Sequence, residues 1–138
     1  MNDRVFLDTA FVVALASPAD KYHEKAKRLS RQIEREGVAL VTTRAVLIEI
    51  GDAMAEERTR HAGVAILQAL EEDMSLTIVQ NSEDLYRRAF ALYKSRSDKE
   101  WGMTDCISFV VMTSGKITEA LTTDTHFQQA GFVALMRE

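Results

Sequence analysis

The chain has 138 residues, 46% of them hydrophobic and 28% charged, with a net charge of −4. That length fits one domain over residues 1–138, and the balance excludes a disordered, low-complexity or membrane-spanning chain. Cys106 is the only cysteine, which excludes a disulfide framework and a thiolate metal cluster.

The N-terminal residues lack a basic start, a long apolar run and a small-residue cleavage site, so the sequence reads as cytoplasmic. Arg4 to Asp8 is a short apolar run ending in a carboxylate, a strand that turns directly into a helix over Thr9 to Ala16. Pro18 marks a break. Asp20 is a candidate N-cap for a helix carrying Tyr22, Ala26, Leu29 and Ile33 at helical spacing and ended by Gly37. Val38 to Thr42 reads as a second strand. Thr42 or Thr43 caps a helix through about Glu57, with Val46, Leu47, Ile50, Ala53 and Met54 on one face and Glu49 at its edge. A helix over about 61–73 precedes a third strand, Leu76 to Val79. Ser82 caps the next helix, whose face is Leu85, Ala89, Leu92 and Tyr93.

Ser95 to Gly102 is charged and turn-like. Thr104 is the expected cap of a helix beginning at Asp105, apolar nearly all round through Ile107, Phe109, Val110, Val111 and Met112, and therefore central and buried. Gly115 ends it. Ala120 to Thr122 reads as a fourth strand running into Thr123 and Asp124, and a short helical turn leads to a last strand over Phe132 to Leu135. Strands alternate with helices from end to end. That order predicts an α/β sandwich with a mostly parallel central sheet.

In open α/β sheets, ligands bind outside the carboxyl ends of the strands. Asp8 and Asp124 fall at such ends. Asp105 opens the buried helix, where the dipole favours its charge. Glu49 lies about two turns into the helix after the second strand. Each acid alone has an ordinary explanation as a cap, a turn residue or a solvated side chain. Four arriving at one sheet edge repel one another unless a divalent cation compensates. An oxygen-only ligand set suits Mg²⁺ or Mn²⁺, and such an ion can orient and activate water for attack on phosphorus. No histidine base or nucleophilic side chain is then needed.

The order and context of these acids resemble the PIN-domain family. Leu-Asp-Thr-Ala at 7–10, Val-Leu-Ile-Glu-Ile at 46–50, the stretch from Trp101 to Met112, and the stretch from Leu121 to Phe132 are similar to its four motifs. The resemblance runs from Val5 to about Leu135. It implies a three-layer α/β/α sandwich around a mostly parallel five-stranded sheet, with Mg²⁺ or Mn²⁺ held by Asp8, Glu49, Asp105 and Asp124. Thr9 and Thr123 would be supporting hydroxyl contacts. It further implies cleavage of single-stranded RNA by metal-activated water. Many small bacterial members are toxins of the VapC type, homodimers inhibited by an antitoxin protein. The competing reading is a non-catalytic PIN-like module that binds RNA or protein; loss of one acid would mark it, and none is lost.

The remaining polar residues read as structural. His126 is expected to pack or hydrogen-bond beside the site, and His23 and His61 to be solvated. Trp101 is expected to pack, Asp52 to face solvent, and Ser108 to lack a triad partner. The basic clusters Lys21 to Arg35 and Arg87 to Lys99 read as solvated helix faces, in a chain whose net charge argues mildly against nucleic-acid binding. The absence of a Walker-type loop and of GxGxxG disfavours nucleotide-binding enzymes.

Overall fold

The computed structural model describes residues 1–138. The first strand, β1 (Arg4–Leu7), buries Val5, Phe6 and Leu7 in succession. A strand buried on consecutive residues is covered on both faces, as in parallel sheets flanked by helices. It is followed by α1 (Thr9–Ala16), α2 (His23–Glu36), β2 (Ala39–Thr43), α3 (Arg44–Ala53), α4 (Glu57–Glu72), β3 (Leu76–Val79) and α5 (Glu83–Ser95). Then come α6 (Met103–Ser114), β4 (Glu119–Leu121), α7 (Thr125–Gln129), β5 (Val133–Ala134) and a closing 3₁₀ turn, Leu135–Arg137.

The five strands form one sheet in the order β3-β2-β1-β4-β5. Every pairing is parallel, so the sheet is wholly parallel where the sequence predicts mostly so. Helices cover both faces, giving the expected three-layer sandwich. No helix is long and apolar enough to cross a membrane. The chain lays β1, β2 and β3 outward in one direction, then returns to place β4 on the other side of β1. The order therefore reverses between β1 and β4, and the crevice at their carboxyl ends is where such sheets bind ligands.

Several boundaries differ from those expected. The helix after β2 stops at Ala53, and the next begins at Glu57 rather than near residue 61. Met54 is buried at the break and packs on Gly63, where an added Cβ would stand 3.0 Å from the Met54 Cβ. The close approach folds α4 back against α3 and needs glycine at that position. Gly37 ends α2 as expected, in the left-handed conformation at φ 64°, with the Val38 N–H closing onto Ile33. Helix α2 starts at His23 rather than just after Asp20, whose carboxylate accepts from Tyr22 N one turn earlier. The last strand is only Val133–Ala134, because Leu135 onward curls into the 3₁₀ turn.

Helix α6 begins at Met103, two residues earlier than expected, with Gly102 rather than Thr104 at its cap position. Asp105 is therefore its third residue, and its Oδ2 accepts from Gly102 N at 3.2 Å, satisfying an amide at the helix start. The helix is central as predicted: Cys106, Ile107, Ser108, Phe109, Val111 and Met112 are all buried. Phe109 meets Trp101 and Phe127 edge-on, both at 5.0 Å between ring centres. Trp101 packs as expected, and its indole N–H donates to Gln129.

Candidate active site

Asp8 follows the last residue of β1 and precedes α1 in extended conformation. The neighbouring strands leave it only 7% exposed. Its Oδ2 accepts from the Thr122 hydroxyl at 2.6 Å, and Thr9 donates from its backbone. Burial is the main influence on its acidity, raising its pKa from 3.8 to about 7. The Thr122 and Thr9 hydrogen bonds pull the other way, while the charges of Glu49 and Asp105 add to the rise.

Thr122 ties the two central strands' ends together. While its hydroxyl donates to Asp8, its oxygen accepts from Asp124 N at 3.0 Å. Asp124 caps the short helix α7, its Oδ1 accepting from His126 N at 2.8 Å. That cap turns the His126 ring back over the carboxylates. Its Nδ1 lies 2.9 Å from Asp105 Oδ2 and 3.5 Å from Asp124 Oδ1. Asp105 is also pushed above the usual carboxylate range, mainly by burial and further by the Asp124 charge; the His126 contact opposes this.

Glu49 comes from the opposite wall. The Thr43 hydroxyl caps α3 by accepting from Val46 N at 3.1 Å, and the helix then carries Glu49 half-buried toward Asp8. The Thr9 hydroxyl donates to its Oε1. Asp8, Thr9, Glu49, Thr123 and Asp124, together with Asp20 and Tyr22, line an open hollow of about 420 Å³. Asp105 does not line that hollow, but it lies near enough for its charge to act on Asp8.

All four acids expected from the sequence thus stand near one another, and Thr9 touches one of them. Thr123 lines the hollow, its carbonyl accepting from Arg137 at 2.9 Å. One participant escaped the sequence reading. Thr122 is the hydroxyl that reaches Asp8; it follows two fully buried residues and is itself fully buried, so no local alternation marks it. His126 hydrogen-bonds beside the acids as expected, held there because the N-cap Asp124 accepts from its backbone N–H. His23 is a further correction: it is half-buried, with Nδ1 2.8 Å from the Ala14 carbonyl. His61 and Asp52 are exposed as expected.

Asp105, Asp124 and His126 offer ligand atoms within 4.8 Å of one another, and Asp8 lies next to them. Carboxylates this close disfavour each other's ionisation, which adds to the larger effect of burial at Asp8 and Asp105. A divalent cation relieves that repulsion, so the donor set fits one.

The family model described as "PIN domain" matches residues 5–133. Among curated proteins, the chain is 28% identical over 134 residues to a "23S rRNA-specific endonuclease VapC20" from two strains of Mycobacterium tuberculosis. The match covers 97% of this chain and 99% of that protein. The crystal structure of Mycobacterium tuberculosis VapC20, described as a sarcin-ricin loop cleaving toxin, superposes with a TM-score of 0.84 at 28% identity. It covers 94% of this chain and 96% of the other.

Proposed function

This chain belongs to the PIN domain family, and we propose that it is a metal-dependent endoribonuclease, the toxin of a toxin–antitoxin pair, working as a single PIN domain over residues 1–138. The observation that carries the reading is the gathering of Glu49, Asp105 and Asp124 near a buried Asp8 at the crevice where the strand order reverses. Asp8, Glu49, Asp105 and Asp124 are the proposed metal ligands and catalytic acids, with His126 beside Asp105 and Asp124. Mg²⁺ or Mn²⁺ is the proposed ion, because oxygen donors dominate. Bound there, the ion would neutralise the acids and make water a stronger nucleophile toward a phosphodiester.

The chain's own groups prepare that chemistry. The Thr122 hydroxyl holds the Asp8 carboxylate in one orientation. The Thr9 hydroxyl does the same for Glu49, and the α7 cap for Asp124. His126 restrains Asp105 and partly offsets its repulsion from Asp124. The hollow is open enough to admit a flexible strand while the ligand carboxylates stay on ordered elements. Since the VapC20 relative is described as specific for 23S rRNA, ribosomal RNA is the first substrate to try.

A homodimer and a protein antitoxin are the proposed partners. Tyr86, Phe90 and Tyr93 are 56%, 47% and 47% exposed along one side of α5. An apolar face of that kind is one a second copy can cover. The deciding experiment is cleavage of ribosomal RNA with Mg²⁺ or Mn²⁺, with and without chelator, beside the D8N variant. Metal-dependent cleavage lost in D8N is expected. Cleavage indifferent to both chelator and D8N overturns the assignment, and binding without cleavage favours the non-catalytic module.

A further inference from the structure

We infer that the basic face of α2 is a phosphate-binding track that carries a single RNA strand into or out of the acid hollow. The inference rests on the nuclease reading and adds a substrate-holding surface to it. Lys25, Arg28, Leu29, Arg31, Gln32 and Arg35 line a shallow hollow of about 500 Å³ that contains no acidic side chain. The cations recur at spacings of three and four, so they share one side of the helix.

The state of the arginines singles this face out. Arg28, Arg31 and Arg35 make no hydrogen bond or ion pair. Every other arginine is engaged: Arg44, Arg58, Arg87, Arg88 and Arg96 with carboxylates, and Arg4, Arg60 and Arg137 with backbone carbonyls. The acids of α2 do not neutralise the stripe. Glu24 pairs with Lys27, and neither Glu34 nor Glu36 lines the hollow. In a chain of net charge −4, three adjacent guanidinium groups without partners form a concentrated positive field. Guanidinium forks match phosphate oxygens in geometry as well as charge.

The position of α2 makes RNA the occupant. Asp20 and Tyr22, just before its first residue, line the acid hollow, and the Lys21 ammonium sits 5.1 Å over the Tyr22 ring. A second connection runs through the C-terminal residues. Arg137 donates to the Thr123 carbonyl on the rim of the acid hollow, and Lys25 donates to the Glu138 carbonyl. The stripe therefore begins where the carboxylates are and leads away along a helix of 14 residues, roughly 21 Å. On this inference a strand whose scissile bond lies at the acids lays its flanking phosphates along that stripe. The arrangement also resolves the charge paradox of an acidic nuclease: attraction of the polyanion is assigned to α2, apart from the acids that would repel it.

The test uses the full-length protein in the D8N background, to separate binding from cleavage. The probes are a labelled oligouridine long enough to run the length of α2 and a trinucleotide too short to do so. Replacing Arg28, Arg31 and Arg35 together by Gln is expected to weaken oligouridine binding on the order of tenfold at low salt. It should also flatten the slope of log affinity against log salt by about 2, at about 0.7 for each single-strand phosphate no longer neutralised. The Arg→Lys triple variant should keep most of that slope. With Asp8 restored, the Gln variant should cleave the oligouridine less efficiently and the trinucleotide as the parent does. Unchanged affinity and slope in the Gln variant overturn the track while leaving the nuclease reading intact. Loss of slope in a protein that never cleaves RNA keeps the track and removes the nuclease. Polyglutamate binding that needs these arginines, with oligouridine binding unaffected, overturns the track in favour of an acidic protein segment.

Discussion

A carboxyl group at about 7 carries a free-energy cost that the rest of the fold must cover. Between about pH 4 and pH 7, folded Asp8 keeps a proton that the unfolded chain has released. More protons are bound in the native state over that window, so stability falls as pH rises through it and levels off above the folded value. The rise from 3.8 to about 7 corresponds to on the order of 4 kcal/mol, a large share of a typical domain's 5–15 kcal/mol, roughly. The D8N variant, neutral at every pH and still able to accept from Thr122, is expected to melt higher than the parent above pH 7 without metal. It should also lose cleavage. A lower melting temperature for D8N at pH 8 would contradict the burial argument. Thr122 gives a second residue-scale expectation. Replacing it with Val removes the hydroxyl that orients Asp8 and meets Asp124 N. Metal affinity or activity should drop about 10- to 100-fold, the usual size for a group that orients a ligand, with Ser in its place restoring most of it. Equal metal titrations for the Val and Ser variants would show that the bridge does not matter.

Among the elements, α3 and α4 show how far local signals reach. The Thr43 cap was readable, because a hydroxyl residue preceded an apolar-periodic run. The break at Met54 was not, since the apolar stripe from Val46 runs through to Met54, Gly51 lies inside α3 without ending it, and no Pro follows. What ends α3 is α4 folding back through Gly63, where an added Cβ would stand 3.0 Å from the Met54 Cβ. Gly63→Val should therefore destabilise the protein by about 1–3 kcal/mol, as overpacking does, even though it removes a glycine from a helix. A thermal melt that rises instead would place the close approach in error. The start of α6 shows the same limit. Thr104 looked like the better cap, but the carboxylate of Asp105 reaching back to Gly102 N allowed the helix to begin earlier.

At the scale of the whole molecule, the sheet order concentrates negative charge at one crevice, which favours binding of a cation there. Adding Mg²⁺ or Mn²⁺ should raise the melting temperature, and more at pH 8 than at pH 5, because protonated carboxyls compete with the ion at the lower pH. Equal shifts at both pH values would argue against carboxylate ligation. The exposed aromatic side chains of α5 set a further expectation. Tyr86, Phe90 and Tyr93 stack along the helix at 6.4 Å between successive rings. Phe90→Asp should shift a homodimer toward monomer in light scattering with little change in the melting temperature of dilute protein. A dimer unaffected by that change must use another face.

The sequence alone determined the alternation of strands and helices, the buried character of α6, and the four acids with their places after strands and within helices. These were legible because period, capping and strand-end position are local properties of the chain. Only the tertiary structure decided that β4 lies beside β1, which brings Thr122 from 114 positions away onto Asp8. The same packing turned His126 onto Asp105 and set the residues just before α2, Asp20 and Tyr22, at the acid hollow while Arg28, Arg31 and Arg35 line a separate one. Those facts depend on which elements become neighbours, and no local pattern carries that information. The burial that raises Asp8 to about 7 belongs with them, because desolvation comes from everything packed around a group and not from the residues next to it in the chain.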